Sequence, residues 1–174
     1  MKLLVPVDGS SESIDTVKQS IKIAKEYDYS IKLIKVIDPQ EINRQKRYSN
    51  RWHQVDGSLI SGKGESTVDL EVRAIYILSE IAESLRMYDV AIEKEVLIGK
   101  LHTKILEIAK NEKFDLIVMD NRGISKFKQF FLGSEINKVL SGSPCPVLVV
   151  WYYVRIEDWS KYDYNHQKIT GTVF

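Results

Sequence analysis

The sequence predicts an α/β fold: a doubly wound sheet of five parallel strands in the order 3-2-1-4-5, with helices on both faces. Three observations predict it. Continuous apolar runs recur at residues 3–7, 116–119 and 146–150, as in strands buried on both faces of a sheet. Stretches of helical apolar spacing separate the strand candidates. No Asn-Gly-type turn signal joins successive strands, so the connections are crossovers, and parallel strands with crossovers require helices.

The elements follow in order. Residues 3–7 form the first strand. Gly9-Ser10-Ser11 comes next, where Ser10 or Ser11 caps a helix and Glu12 suits its first turn. Ile14, Val17, Ile21 and Ala24 give that helix its inner face. Residues 31–37 are rich in β-branched side chains and form the second strand, which ends at Asp38-Pro39. A long helix spans 67–87 on the stripe Val72, Ile75, Leu78, Ala82 and Leu85. Residues 91–98 alternate as Ile92, Lys94, Val96, Ile98 and read as an edge strand ended by Gly99. Ile105, Ile108 and Ala109 mark the next helix, and 116–119 the fourth strand. Gly133-Ser134 starts a short helix carrying Ile136, Val139 and Leu140 before the last core strand at 146–150. In such sheets ligands bind outside the carboxyl ends of the strands where the winding reverses. That places Asp8 beside the turn from Asp120 to Gly123, with Asp38 near.

Composition limits the function classes. At 174 residues the chain is one domain with a sizeable core. A net charge of +1 gives no field for nucleic acid, so no nucleic-acid partner is expected. No run approaches the roughly 20 apolar residues of a membrane span, and the expectation is a soluble, cytoplasmic protein without a membrane partner. Cys145 is the only cysteine, which excludes a disulfide framework. His53, His102 and His166 show no ligand spacing, and no structural metal is expected.

Several separated motifs resemble one family. They are Leu4-Val5-Pro6-Val7-Asp8-Gly9-Ser10, Asp115-Leu116-Ile117-Val118-Met119, Arg122-Gly123, Leu132-Gly133-Ser134 and Pro144-Cys145-Pro146-Val147-Leu148-Val149-Val150. In that order they resemble the universal stress protein family, over residues 1–150 without the loop 40–66. The resemblance implies a Rossmann-like domain at 1–150 and an extension at 151–174. Members either bind ATP or are UspA-type proteins that bind no nucleotide. The ATP-binding pattern is Gly-x-x-Gly, nine residues, then Gly and Ser or Thr. Here Gly123 and Gly133-Ser134 keep the spacing, and Asp120 replaces the first glycine.

By resemblance, Pro6, Val7, Asp8 and Val36 hold adenosine, while Met119, Arg122, Gly123, Gly133, Ser134 and Glu135 surround ribose and phosphates. Elementary chemistry supports part of this. Glycine lets phosphate oxygens approach a backbone amide. A helix start at Gly133-Ser134 favours anions, and Asp8 can accept hydrogen bonds from ribose hydroxyls. Asp120 and Glu135 oppose it. One like-charge pair at ~4 Å and an effective dielectric near 20 costs on the order of 4 kcal/mol. Mg²⁺ held by Asp8 and Asp120 would reverse that sign, since Mg²⁺ binds nucleotides through carboxylates and phosphates together. Two functions follow: a regulatory module for ATP or another adenine nucleotide, alone or with Mg²⁺, or a UspA-type scaffold disabled for nucleotide by Asp120. No activated nucleophile or positioned base is evident, so turnover is at most slow ATP hydrolysis.

Other features carry less. Gly57 to Gly64 nearly spells a Walker phosphate loop, but Gly64 stands where Ser or Thr is needed and a glycine-rich loop explains it better. The basic segment 40–66 is a lid over phosphates or a plain excursion. The aromatic tail 151–174 reads as an arm over the last strand or a partner subunit. A homodimer through the last strand and tail is the expected assembly, with a downstream protein partner that the sequence leaves unidentified.

Overall fold

The computed structural model describes residues 1–40, 52–55, 58–61, 67–121, 133–153 and 168–173. The chain runs β1 (Lys2–Pro6), α1 (Ser11–Tyr27), β2 (Ser30–Ile37), β3 (Trp52–Val55), β4 (Ser58–Ser61) and α2 (Thr67–Ser84). After a 3₁₀ turn at Arg86–Tyr88 it continues β5 (Ile92–Ile98), α3 (Leu101–Asn111), β6 (Leu116–Asp120), α4 (Ser134–Gly142), β7 (Val147–Tyr153) and β8 (Lys168–Val173). The main sheet is ordered β5-β2-β1-β6-β7-β8. Its five parallel strands take the expected 3-2-1-4-5 order, with Leu3 opposite both Ile31 and Leu116.

Strand periodicity divides the core between two faces. Leu3, Val5 and Val118 pack with Val17 and Ile21 of α1 and Leu78 and Ile81 of α2. Leu4, Ile117 and Val149 point the other way, onto Ile105 and Ile108 of α3 and Val139 of α4. A strand apolar at every position is what two covered faces require. Lys32 interrupts β2, and its ammonium lies 2.7 Å from Glu95 and 2.6 Å from Glu112. Burial alone would lower its pKa, but the two carboxylates raise it above the ordinary lysine value.

Two expectations need correction, and the first of the two readings of the tail holds. The inner face of α2 is Leu70, Ala74, Leu78, Ile81 and Leu85, whereas Val72 and Ile75 are exposed. That helix is apolar on more than one side, and the side that meets β2 and β5 lies one residue off the predicted stripe. The segment 40–66 contains an antiparallel hairpin, β3 paired with β4 from Trp52↔Ser61 to Val55↔Ser58. Asp56-Gly57 stands between the two strands, the dipeptide that favours tight hairpin turns, and strand β4 runs through the near-Walker stretch. Finally, the tail adds a sixth strand to the sheet: β8 pairs antiparallel with β7, Leu148↔Val173 to Tyr153↔Lys168.

Candidate functional site

A cavity of about 870 Å³ opens at the carboxyl ends of the parallel strands. The end of β1 supplies Pro6, Val7 and Asp8, β2 supplies Lys35 to Asp38, and β6 supplies Met119 and Asp120. Two turns of α2 form a wall through Leu70, Arg73, Ala74 and Ile77, and the start of α4 closes the far side with Gly133 to Ile136. This is the crevice where the winding reverses between β1 and β6. Among the residues predicted from sequence, Pro6, Val7, Asp8, Val36, Met119, Gly133, Ser134 and Glu135 all line it, together with Asp38 and Asp120. Arg122 and Gly123 lie outside the described residues.

The β1–α1 turn is held by a short polar network. Asp8 Oδ1 accepts from the Ser10 N–H at 2.9 Å and from its hydroxyl at 2.6 Å. Ser10 caps α1 by accepting from the Ser13 N–H at 3.2 Å, and Ser13 Oγ accepts from the Gly9 N–H. Gly9 has φ +91°, an angle that disfavours any side chain, and a Cβ there would also lie a tight 3.1 Å from Ile77 Cγ2. Lys35 Nζ donates to the Asp8 carbonyl at 3.1 Å, tying β2 to the same turn. One oxygen of Asp8 is thus engaged in shaping the turn as well as facing the cavity.

Gly133 is different. It sits at the N-cap of α4 with φ −59° and ψ 152°, angles open to any residue. A Cβ there would meet nothing within 4 Å among the described residues. Neither its conformation nor packing among the described residues accounts for glycine at this position. Without a side chain Gly133 gives α4 no side-chain cap, and the positive end of the helix dipole lies at the cavity that Gly133 and Ser134 line.

The two acidic residues have separate fates. Glu135 Oε2 accepts from the His102 backbone N–H at 3.1 Å and lies 2.8 Å from His102 Nδ1, while Oε1 accepts from Lys138 Nζ at 2.6 Å. It therefore caps α3, whose own N-cap residue Lys100 makes no side-chain cap bond. Burial pushes the Glu135 pKa up, but the hydrogen bonds from Lys138 and His102 outweigh it and hold the group at about 2. Its charge is matched by neighbours, and it joins the two helix starts at the cavity rim. Asp120 is 7% exposed at the end of β6. Burial pushes its carboxyl up to about 6, a backbone hydrogen bond opposes this, and the charge of Glu12 adds to it. About a tenth of it is neutral at pH 7, so its repulsion toward an anion is weaker than a permanent charge would exert.

Sequence reasoning missed two cations among the described cavity residues, Lys35 and Arg73. The signal for Arg73 was present: residues 70, 73, 74 and 77 share one helical face, and setting the stripe on Val72 and Ile75 hid it. Among the described residues no group of three or more metal-ligating side chains is assembled. Asp8 and Asp120 alone suit an ion that completes its shell with a ligand's own oxygens. No helix among the described residues is long and apolar enough to cross a membrane.

Comparison with known proteins gives consistent results. The model of the universal stress protein family matches residues 1–150. Universal stress protein MJ0531 of Methanocaldococcus jannaschii is 30% identical over 149 residues, covering 86% of this chain and 81% of the relative. Among solved structures, protein MJ0577 of the same organism superposes with a TM-score of 0.67 at 24% identity, covering 90% of this chain and 97% of that one. A universal stress protein in complex with cAMP superposes with a TM-score of 0.58 at 21% identity, covering 86% and 94%. At these identities the structural matches establish the fold.

Proposed function

The chain belongs to the universal stress protein family, and from that premise we propose that it is a cytoplasmic regulatory module that binds an adenine nucleotide at the carboxyl ends of β1 and β6. One observation carries the reading. The eight described residues that the family pattern assigns to the ligand line a single cavity, and one of them, Gly133, is a glycine that nothing among the described residues demands. A ligand that comes close to the α4 N-terminus gives that glycine a reason. The existence of a family member in complex with cAMP supports the same ligand class.

In this reading Pro6, Val7, Asp8 and Val36 hold the adenosine. The phosphates lie toward Ser134 and the start of α4, whose N-cap Gly133 makes no side-chain cap bond. Glu135 acts by holding the α3 and α4 starts together. ATP enters with Mg²⁺, for which Asp8 and Asp120 supply carboxylates. Calorimetry tests the proposal with ATP and Mg²⁺ on the wild type and on Gly133→Val. The wild type binds, and the variant loses about tenfold or more in affinity while its stability falls by no more than about 1 kcal/mol. If the wild type binds neither ATP with Mg²⁺ nor AMP at millimolar concentration, the scaffold function replaces this one.

We also propose a homodimer. The free side of β7 is taken by β8 of the same chain, so a second copy adds at β8. Light scattering at micromolar concentration reads the mass directly, and a monomer refutes the assembly.

A further inference from the structure

We propose that the open edge of β5 docks an extended segment of a protein partner, one in which apolar and basic residues alternate, as a further strand of the sheet. This goes beyond the nucleotide reading and does not depend on it. Helix α2 lines the cavity with Leu70, Arg73, Ala74 and Ile77, and presents a different side, with Ile75 and Leu78, to a groove along β5.

The two ends of the main sheet differ. β7 is covered by β8 of the same chain, whereas β5 stands at the other end with β2 on one side only. The Ile31 N–H donates to the Ala91 carbonyl at 2.8 Å, and the Gly99 N–H donates to the Ile37 carbonyl at 3.0 Å. Odd-numbered residues of β5 therefore turn their backbone groups to β2. Ile92, Lys94, Val96 and Ile98 turn theirs to the open edge, where no described strand pairs with them. Such a row of backbone groups is a template for strand addition. A charged side chain ordinarily guards an open edge, but Lys94 turns onto α2, where its Nζ donates to Ser79 Oγ at 3.3 Å.

The two faces of this edge set the partner's chemistry. On the α2 side, Val96 and Ile98 line the groove with Ile75 and Leu78. Ile98 is 42% exposed and Ile75 55%, and Val72 and Tyr76, on the same outer side of α2, are more than half exposed. That surface calls for apolar residues at alternate positions of the added strand. On the other side, Glu95 reaches Lys32 at 2.7 Å, and Lys32 also serves Glu112 at the end of α3. Glu93 stands opposite Lys32 in the β2–β5 register; it is exposed and makes no ion pair among the described residues. Because Glu93 bonds to β2, the residue facing it in an antiparallel added strand takes the position where cross-strand side chains lie closest. A lysine or arginine there meets its carboxylate directly.

The experiment titrates the isotopically labelled full chain with an end-blocked hexapeptide, Val-Lys-Val-Lys-Val-Lys, at low salt, and follows amide hydrogen exchange. Near saturation, exchange should slow about tenfold or more at Lys94, Val96 and Ile98. Glu93, Glu95 and Leu97 should be unchanged, because their N–H groups already bond to β2. The same peptide with Glu in place of Lys should bind about fivefold more weakly, and Glu93→Lys should reverse the order of the two peptides. No protection at millimolar peptide, protection confined to α2, or equal binding of the two peptides to the wild type overturns the inference. Slow exchange at the same three amides without peptide, growing with protein concentration, also overturns it, since the edge would then pair with a second copy of this chain. The peptide comparison on the wild type does not depend on the variant folding.

Discussion

Replacing Asp120 by Asn should stabilise this protein, and by an amount that depends on pH. The carboxyl is 7% exposed and titrates near 6 in the folded chain against 3.8 in the unfolded one. A shift of about two units corresponds to about 3 kcal/mol. The sign follows from the protons bound. Between pH 3.8 and 6 the folded state keeps a proton that the unfolded state has released. The favourable contribution is full below 3.8 and is lost as pH rises through 6, where folding must hold a buried charge. Asn carries no charge at any pH. Asp120→Asn should therefore match the wild type near pH 4 and exceed it by up to about 3 kcal/mol at pH 8. Urea unfolding at pH 4, 6 and 8 measures this, with a midpoint about 1.5 M higher for the variant at pH 8. A difference that stays constant with pH would refute the reasoning, because packing changes alone give a constant offset.

Gly9→Ala should cost about 1–2 kcal/mol, since φ at +91° disfavours any Cβ and the new methyl meets Ile77 at 3.1 Å; a thermal melt unchanged within a few tenths of a kcal/mol would contradict this. Glu135→Gln should weaken the joint between α3 and α4 by less than about 1 kcal/mol, because the side chain is 37% exposed and its ion pairs are screened. Its folded pKa is held down at about 2, so the contribution is present above pH 4.5 and fades as pH falls toward 2. The wild-type and variant unfolding curves should approach each other between pH 6 and pH 3, and a gap that widens would count against the clamp.

The strand order was legible because residues 3–7, 116–119 and 147–150 are apolar at every position, and only strands covered on both faces need that. The helix on 67–84 was legible as a helix but not as to its inner side. Val72 and Ile75 are exposed while Leu70 and Ala74 are buried, and an excess of apolar residues removes the contrast that periodicity relies on. Arg73 was lost with it. The hairpin β3–β4 carried a short-range signal in Asp56-Gly57, masked by strands of only four residues, the second of which has serine at both ends. The joint from Glu135 to His102 spans 33 residues of sequence, and only the packing of α3 against α4 brings the two together. The identity of Asp120 was plain from the sequence. How deeply it is buried, and hence how far its pKa rises, depends on α1 and β1 packing over the end of β6.

The central claim is that the cavity between Asp8, Asp120 and the start of α4 receives an adenine nucleotide. The most direct measurement is an amide chemical-shift titration of the isotopically labelled full chain with AMP. The account predicts that the largest shifts fall on Val7, Asp8, Val36, Met119, Ser134 and Glu135, with Tyr27 and Met87 at the opposite ends of the strands unmoved. Shifts confined to the far end of the sheet, or none at millimolar AMP, would contradict it.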